Sequence, residues 1–114
     1  MDCKQLQQDF SEVSDFLIAL GDEKRQAIII RLLESGSCKG VQVSDLTEVT
    51  DLSRPAVSHH LKILKDANIV NYHSEGTKNF YYLSHEMEEI GKIKKLLDNV
   101  TYLLEKDKTD TTKS

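Results

Sequence analysis

The chain has 114 residues, 39% of them apolar and 30% charged, with a formal net charge of −4 at neutral pH. A chain of that length makes one domain that buries roughly two-thirds of its unfolded surface, so no disulfide or metal staple is required, and the composition excludes wholesale disorder. No apolar run reaches the length of a bilayer span, and the polar start Met1-Asp2-Cys3-Lys4-Gln5 lacks an export h-region, so a cytoplasmic protein with no membrane partner is expected.

Over residues 4–20 the apolar positions Leu6, Phe10, Val13, Phe16, Leu17 and Leu20 recur at the spacing of an amphipathic helix. Gly21 breaks that pattern, and Asp22 can cap a second helix that runs to about Ser35 through Ala27, Ile28, Ile30, Leu32 and Leu33. Gly36 to Gly40 reads as a polar loop, and the alternation Val41-Gln42-Val43 as one short strand. Ser44 then caps a compact helix through Thr50, with Leu46 and Val49 facing inward, and Asp51 to Ser53 make a tight connection.

The next segment, Leu52 to Leu64, is the most informative in the chain. Ser53 supplies a capping hydroxyl and Pro55 fits the first turn, where a missing N–H costs nothing. From Arg54 to Ala67, Val57, Leu61 and Leu64 centre an apolar arc that Ala56, Ile63 and Ala67 widen, while Arg54, Ser58, His59, Lys62 and Lys65 fall outside it. Taken alone, such a helix is either an ordinary surface helix or one shaped for a DNA major groove.

Its neighbours decide between the two. Two short helices joined by about three residues form the helix-turn-helix layout. Asn68 can end the second helix in the left-handed region. Residues 69–74 and 79–83 are rich in β-branched and aromatic types and flank Glu75-Gly76-Thr77-Lys78, which marks a hairpin. A hairpin directly after a helix-turn-helix is a wing. The fold class is therefore mainly α with a small β-hairpin wing: a winged helix-turn-helix of five helices.

Ser84 caps a last helix running to about Lys106, with Ile90, Ile93, Leu97, Val100 and Leu104 advancing by threes and fours and Met87, Leu96 and Leu103 beside them. This stripe is too apolar for the surface of a small monomer. It predicts a homodimer joined through the first and last helices, with Phe10, Val13 and Leu17 on one side of the contact and Ile90, Ile93, Leu97, Val100 and Leu104 on the other. Residues 1–106 then form one DNA-binding and dimerisation domain, and residues 107–114 a solvated, disordered tail.

Charge is unevenly distributed. Residues 1–52 carry −5, residues 53–79 carry +2 with His59, His60 and His73 besides, and residues 80–114 carry −1. An acidic body with a basic tip can still dock on DNA in one orientation.

The order of elements, together with Ala19-Leu20-Gly21-Asp22-Glu23-Lys24-Arg25 and Pro55-Ala-Val-Ser-His-His-Leu-Lys-Ile-Leu-Lys-Asp-Ala-Asn-Ile-Val70, resembles the ArsR family of bacterial winged-helix repressors over about residues 16–104. MarR-type regulators share the wing but usually have longer flanking helices. The resemblance implies a homodimer that sits on a double-stranded DNA operator with an inverted repeat and leaves it when a small inducer binds. The expected DNA contacts are Ser53, Arg54, Ala56, Ser58, His59 and Lys62 on the reading helix and Lys78 in the wing.

The family's metal sites do not carry over. Val41 to Asp45 has none of the cysteines that one site needs, and Leu97 and Val100 stand at the ligand positions of another, leaving only Ser84, His85 and Glu86. No metal or other cofactor is expected. Cys3 and Cys38 read as separate reduced thiols. His60 lies inside the apolar arc and reads as a packed histidine bonded to backbone or a neighbouring helix, while His59 lies outside it. An enzyme is excluded by the lack of a phosphate loop, a nucleophile–base pair or a complete metal site. The remaining alternative is a winged-helix module that binds a protein partner and does not read DNA.

Overall fold

The computed structural model describes residues 3–36, 40–86 and 88–113. Its elements are α1 (Cys3–Leu20), α2 (Glu23–Ser35), α3 (Val43–Thr50), α4 (Arg54–Asp66), β1 (Val70–Glu75), β2 (Lys78–Leu83) and α5 (Glu88–Lys113). These residues fall into two compact units, one spanning Asp15–Glu86 and the other combining the first part of α1 with α5.

The Asp15–Glu86 unit is built on buried side chains from α2, α3 and α4. Ile28, Leu32, Leu46, Val57, Leu61 and Leu64 are all fully buried, and Phe16, Ala19, Ile69 and Val70 join them. Each helix end is fixed by its sequence. Asp22 accepts a hydrogen bond from the Arg25 backbone N–H at 3.0 Å and so caps α2. The Asp51 backbone turns left-handed (φ 58°) after α3, its N–H donating to the Thr47 carbonyl. The Lys24 ammonium donates to the carbonyl of Thr50 at 2.6 Å and occupies another orphan acceptor at the same end.

Ser53 Oγ accepts from the Ala56 N–H at 3.3 Å at the head of α4. Asn68 ends that helix with φ 61°. The Ile69 N–H reaches back to the Leu64 carbonyl and the Asn68 N–H to the Lys65 carbonyl, the pairing of a Schellman stop, with Ile69 buried against the helix end as that motif favours.

The hairpin pairs Glu75 with Lys78, Tyr72 with Tyr81 and Val70 with Leu83 in antiparallel register. Gly76 opens its two-residue turn at φ 63°, a region that a glycine enters without strain. Behind β2, Val41 and Tyr81 exchange both backbone hydrogen bonds at 2.8 and 2.9 Å. A Cβ on Gly40 (φ 78°) would stand 3.0 Å from the Phe80 side chain and the Tyr81 carbonyl, so that approach depends on glycine.

Several expectations are corrected. Residues 41–43 do not make a strand: Val41 forms an isolated bridge and Val43 already begins α3. Gln42, not Ser44, stands at the α3 N-cap, and its side chain makes no capping bond. Val49 is 45% exposed, whereas Thr50 is buried with its hydroxyl returned to the Leu46 carbonyl at 2.6 Å. On a helix Thr50 lies about 40° to one side of Leu46 and Val49 about 60° to the other, and the core covers the Thr50 side. Ser84 accepts from the Glu86 N–H in a local turn ahead of α5, which begins at Glu88. The helical backbone of α5 runs to Lys113, past the expected end near Lys106, because no glycine or proline follows Gly91 to stop it.

In the second unit, Val13 (1% exposed) and Leu96 (2% exposed) are buried within the protomer. Val13 is therefore internal packing and not part of a surface offered to a second copy. The outer face of α5 carries Ile90, Leu97 and Leu104 at seven-residue spacing, all of them exposed, and Phe10 and Leu17 are exposed along α1. Ile93 and Val100 are half-buried.

Candidate nucleic-acid interface

The polar face of α4 is set by its apolar one. Because Val57, Leu61 and Leu64 point into the core, Arg54, Ser58, His59, Lys62 and Lys65 are all held at the surface, and Ser53 and Lys78 are exposed as well. Ala56 is half-buried at the edge of the same face. Among the described residues Arg54 and Lys78 take part in no ion pair, so both charges are open to a ligand. Lys62 is different: its ammonium lies 3.0 Å from Asp66, one turn along the helix.

Two depressions flank the wing residue Asn79. In the first, of about 180 Å³, Arg54 at the start of α4 faces Thr77 and Lys78 at the wing tip, with Gln42 and Ser44 from the start of α3 on the remaining side. The second, of about 190 Å³, lies between Ser58, Lys62 and Lys65 on α4 and Tyr72, Asn79 and Tyr81 of the hairpin. Neither is lined by a carboxylate among the described residues. Asn79 is oriented by the Ser74 hydroxyl, which donates to its Oδ1 at 2.6 Å. Burial holds the Tyr81 hydroxyl above the usual phenol range, with the neighbouring Tyr72 acting in the same direction.

The sequence reading missed Gln42, Thr77, Tyr72 and Asn79. They come next to α4 only through the hairpin register and the Val41–Tyr81 bridge, which no local pattern announces.

His60 packs as expected, with its ring toward α2. Its Nδ1 lies 3.1 Å from the Arg25 guanidinium and 3.9 Å from the Asp22 carboxylate. Arg25 also donates to the carbonyls of Ala19 and Ile18, so one guanidinium joins the end of α1, the start of α2 and the middle of α4. The Arg25 backbone N–H, helped by the Arg25 charge, holds the Asp22 carboxyl below its usual value. His59 stays exposed on the outer face.

Among the described residues no three His, Cys, Asp or Glu side chains gather closely enough to hold a metal ion. No helix is long and apolar enough to cross a membrane. Cys3 is exposed, and Cys38 lies outside the described residues.

Three short helices, the third with an open cationic face, followed by a hairpin whose tip carries another cation, define a winged helix-turn-helix DNA-binding protein. Residues 22–72 match the bacterial regulatory protein, arsR family. A helix-turn-helix transcriptional regulator of Methanocaldococcus jannaschii is 35% identical over 91 residues, 80% of this chain and 97% of that one. The arsenical resistance operon repressor of Bacillus subtilis is 41% identical over 69 residues, 60% of this chain and 62% of that protein.

Among solved structures, an ArsR-like transcriptional regulator from Rhodococcus superposes with a TM-score of 0.74 at 21% identity, covering 99% of this chain and 94% of that one, which bears on the fold alone. Reduced HlyU from Vibrio cholerae gives 0.64 at 28% identity, covering 82% and 93%. The chain belongs to the ArsR family of transcriptional regulators. It is a DNA-binding regulator and not an enzyme.

Proposed function

We propose that the protein is a cytoplasmic homodimeric repressor that binds an inverted-repeat operator with α4 in the major groove and is released by a small inducer of unassigned identity. In this reading Ser53, Arg54, Ser58 and His59 meet base edges or the adjoining phosphates, with Ala56 against the groove floor. Lys62 meets a phosphate, and Lys78 meets the backbone or minor groove through the wing. Residues 1–106 act as one DNA-binding and dimerisation module. Phe10 and Leu17 of α1 and Ile90, Ile93, Leu97, Val100 and Leu104 of α5 form the contact between copies.

The observation that carries this reading is Arg54: it is the first residue of α4, exposed, and free of ion pairs among the described residues, and it shares a depression with Lys78. A guanidinium so placed can fork onto a guanine edge. The supporting experiment is a protection footprint on the DNA upstream of the protein's own gene. A two-fold symmetric footprint with half-sites one helical turn apart, or a multiple of it, is expected. The protein-partner alternative has no comparable support, since it leaves these unpaired cations without a role.

A further inference from the structure

Of the residues lining the second depression beside Asn79, only Ser58 and Lys62 have a part in the proposed DNA contact, and Lys65, Tyr72 and Tyr81 have none. Lys65 stands at the edge of the second, its ammonium 4.8 Å above the centre of the Tyr72 ring. A lysine side chain in water samples many rotamers. A ring face beneath the ammonium narrows that choice and leaves the upper hemisphere of the charge open. Lys65 pairs with no carboxylate among the described residues, whereas Lys62 in the same depression is partly neutralised by Asp66. Ser58, Tyr72, Asn79 and Tyr81, all able to hydrogen-bond, line the same depression. A phenol such as that of Tyr81 is protonated at neutral pH and can donate to an anion.

We infer that this second depression is a seat for the sugar–phosphate backbone of DNA, in which Lys65 is the phosphate-binding cation and Tyr72 the residue that positions it. The inference rests on the DNA-reading assignment of α4. Asn79 borders both depressions, so a strand leaving the Arg54–Lys78 depression along the wing passes directly into the Lys65 depression. In a chain of net charge −4, two adjoining depressions with no carboxylate among their described lining residues, and supplied with Arg54, Lys78 and Lys65, fit a polyanion.

The test is fluorescence anisotropy of the full chain on mixed-sequence duplex DNA over a salt series, with thermal melting of each variant. Replacing Lys65 with Met keeps the stem and removes the charge. The Lys65→Met variant is expected to melt like the parent while its log K against log salt slope becomes shallower by about 0.9 per subunit, and Lys65→Arg to retain the parent slope. Tyr72→Leu is expected to weaken binding as Lys65→Met does, and the double variant to lose nothing further, because both changes disable the same cation. Should Tyr72→Leu fail to fold, the slope of Lys65→Met decides alone. A parent-like slope for Lys65→Met, alongside weakened binding by Arg54→Ala, overturns the seat and leaves the reading helix standing. A parent chain that does not bind duplex DNA at low salt overturns both.

Discussion

Arg25 Nη1 lies 3.1 Å from His60 Nδ1, so the head of α2 is tied to the middle of the reading helix by one contact. Because the guanidinium can only donate, Nδ1 is the acceptor and the ring proton sits on Nε2. The same guanidinium holds the carbonyls of Ala19 and Ile18. The orientation of α4 is thus fixed from behind, by residues that need never touch DNA.

His60→Ala is expected to destabilise the fold by about 1–3 kcal/mol, since it removes packing and leaves a donor of a half-buried charge unmatched. The melting temperature should fall by several degrees while the dimer persists. His59→Ala, on the open face, should leave it unchanged. Differential scanning calorimetry of the two variants separates the inner histidine from the outer one, and equal melting temperatures would contradict the arrangement.

Acid stability follows from Asp22. Its folded pKa is lowered, first by the Arg25 backbone N–H, so its contribution is fully present above the ordinary aspartate value near 3.8 and is lost as pH falls through the lower folded value. Asp22→Ala also removes the α2 cap, at a cost of about 1 kcal/mol at neutral pH. Denaturant melts at pH 7 and at pH 3 should show the difference between parent and Asp22→Ala shrinking on acidification. A difference that grows would mean that the folded Asp22 carboxyl is not held below its ordinary value.

Asp66 holds Lys62 at 3.0 Å on the surface that faces the proposed phosphates. Exposed pairs of this kind contribute little to stability. Asp66→Asn is therefore expected to tighten binding to duplex DNA of any sequence at low salt and to leave the melting temperature nearly unchanged. Weaker binding by Asp66→Asn in a filter or anisotropy assay would place Lys62 elsewhere.

Leu97 is 56% exposed between Ile90 and Leu104 on the outer face of α5. Leu97→Glu would bury an unpaired charge in the proposed dimer contact, costing several kcal/mol. Light scattering at micromolar concentration should show a dimer for the parent and a monomer, or an unfolded chain, for the variant. A monomeric parent would show that α5 joins no second copy.

The reading helix was legible in the sequence because three local signals agreed: a serine cap, a proline in the first turn and an apolar arc of Val57, Leu61 and Leu64. The Asn68 stop and the Gly76 turn were legible for the same reason, as each answers a backbone requirement within a few residues. The start of α3 was not, since Ser44 is as good a cap on paper as Gln42 is a poor one, and the bridge from Val41 to Tyr81 fixed where the helix could begin. Val13 was legible as apolar but not as internal, because periodicity identifies a face without naming what covers it. The depression around Lys65 depended on Tyr72 and Asn79, brought beside α4 by hairpin register, which a linear pattern does not encode.

Whether α4 reads DNA is decided by comparing Arg54→Ala and Lys62→Ala with the parent chain on the DNA upstream of its gene and on mixed-sequence DNA across a salt series. Arg54→Ala is expected to lose about 1–3 kcal/mol of operator affinity and to relax the preference at one base position per half-site. Lys62→Ala is expected to weaken both DNAs about equally and to flatten the salt slope by about one counterion per subunit. If both folded variants retain the parent's operator affinity at moderate salt, α4 is not the DNA-reading element.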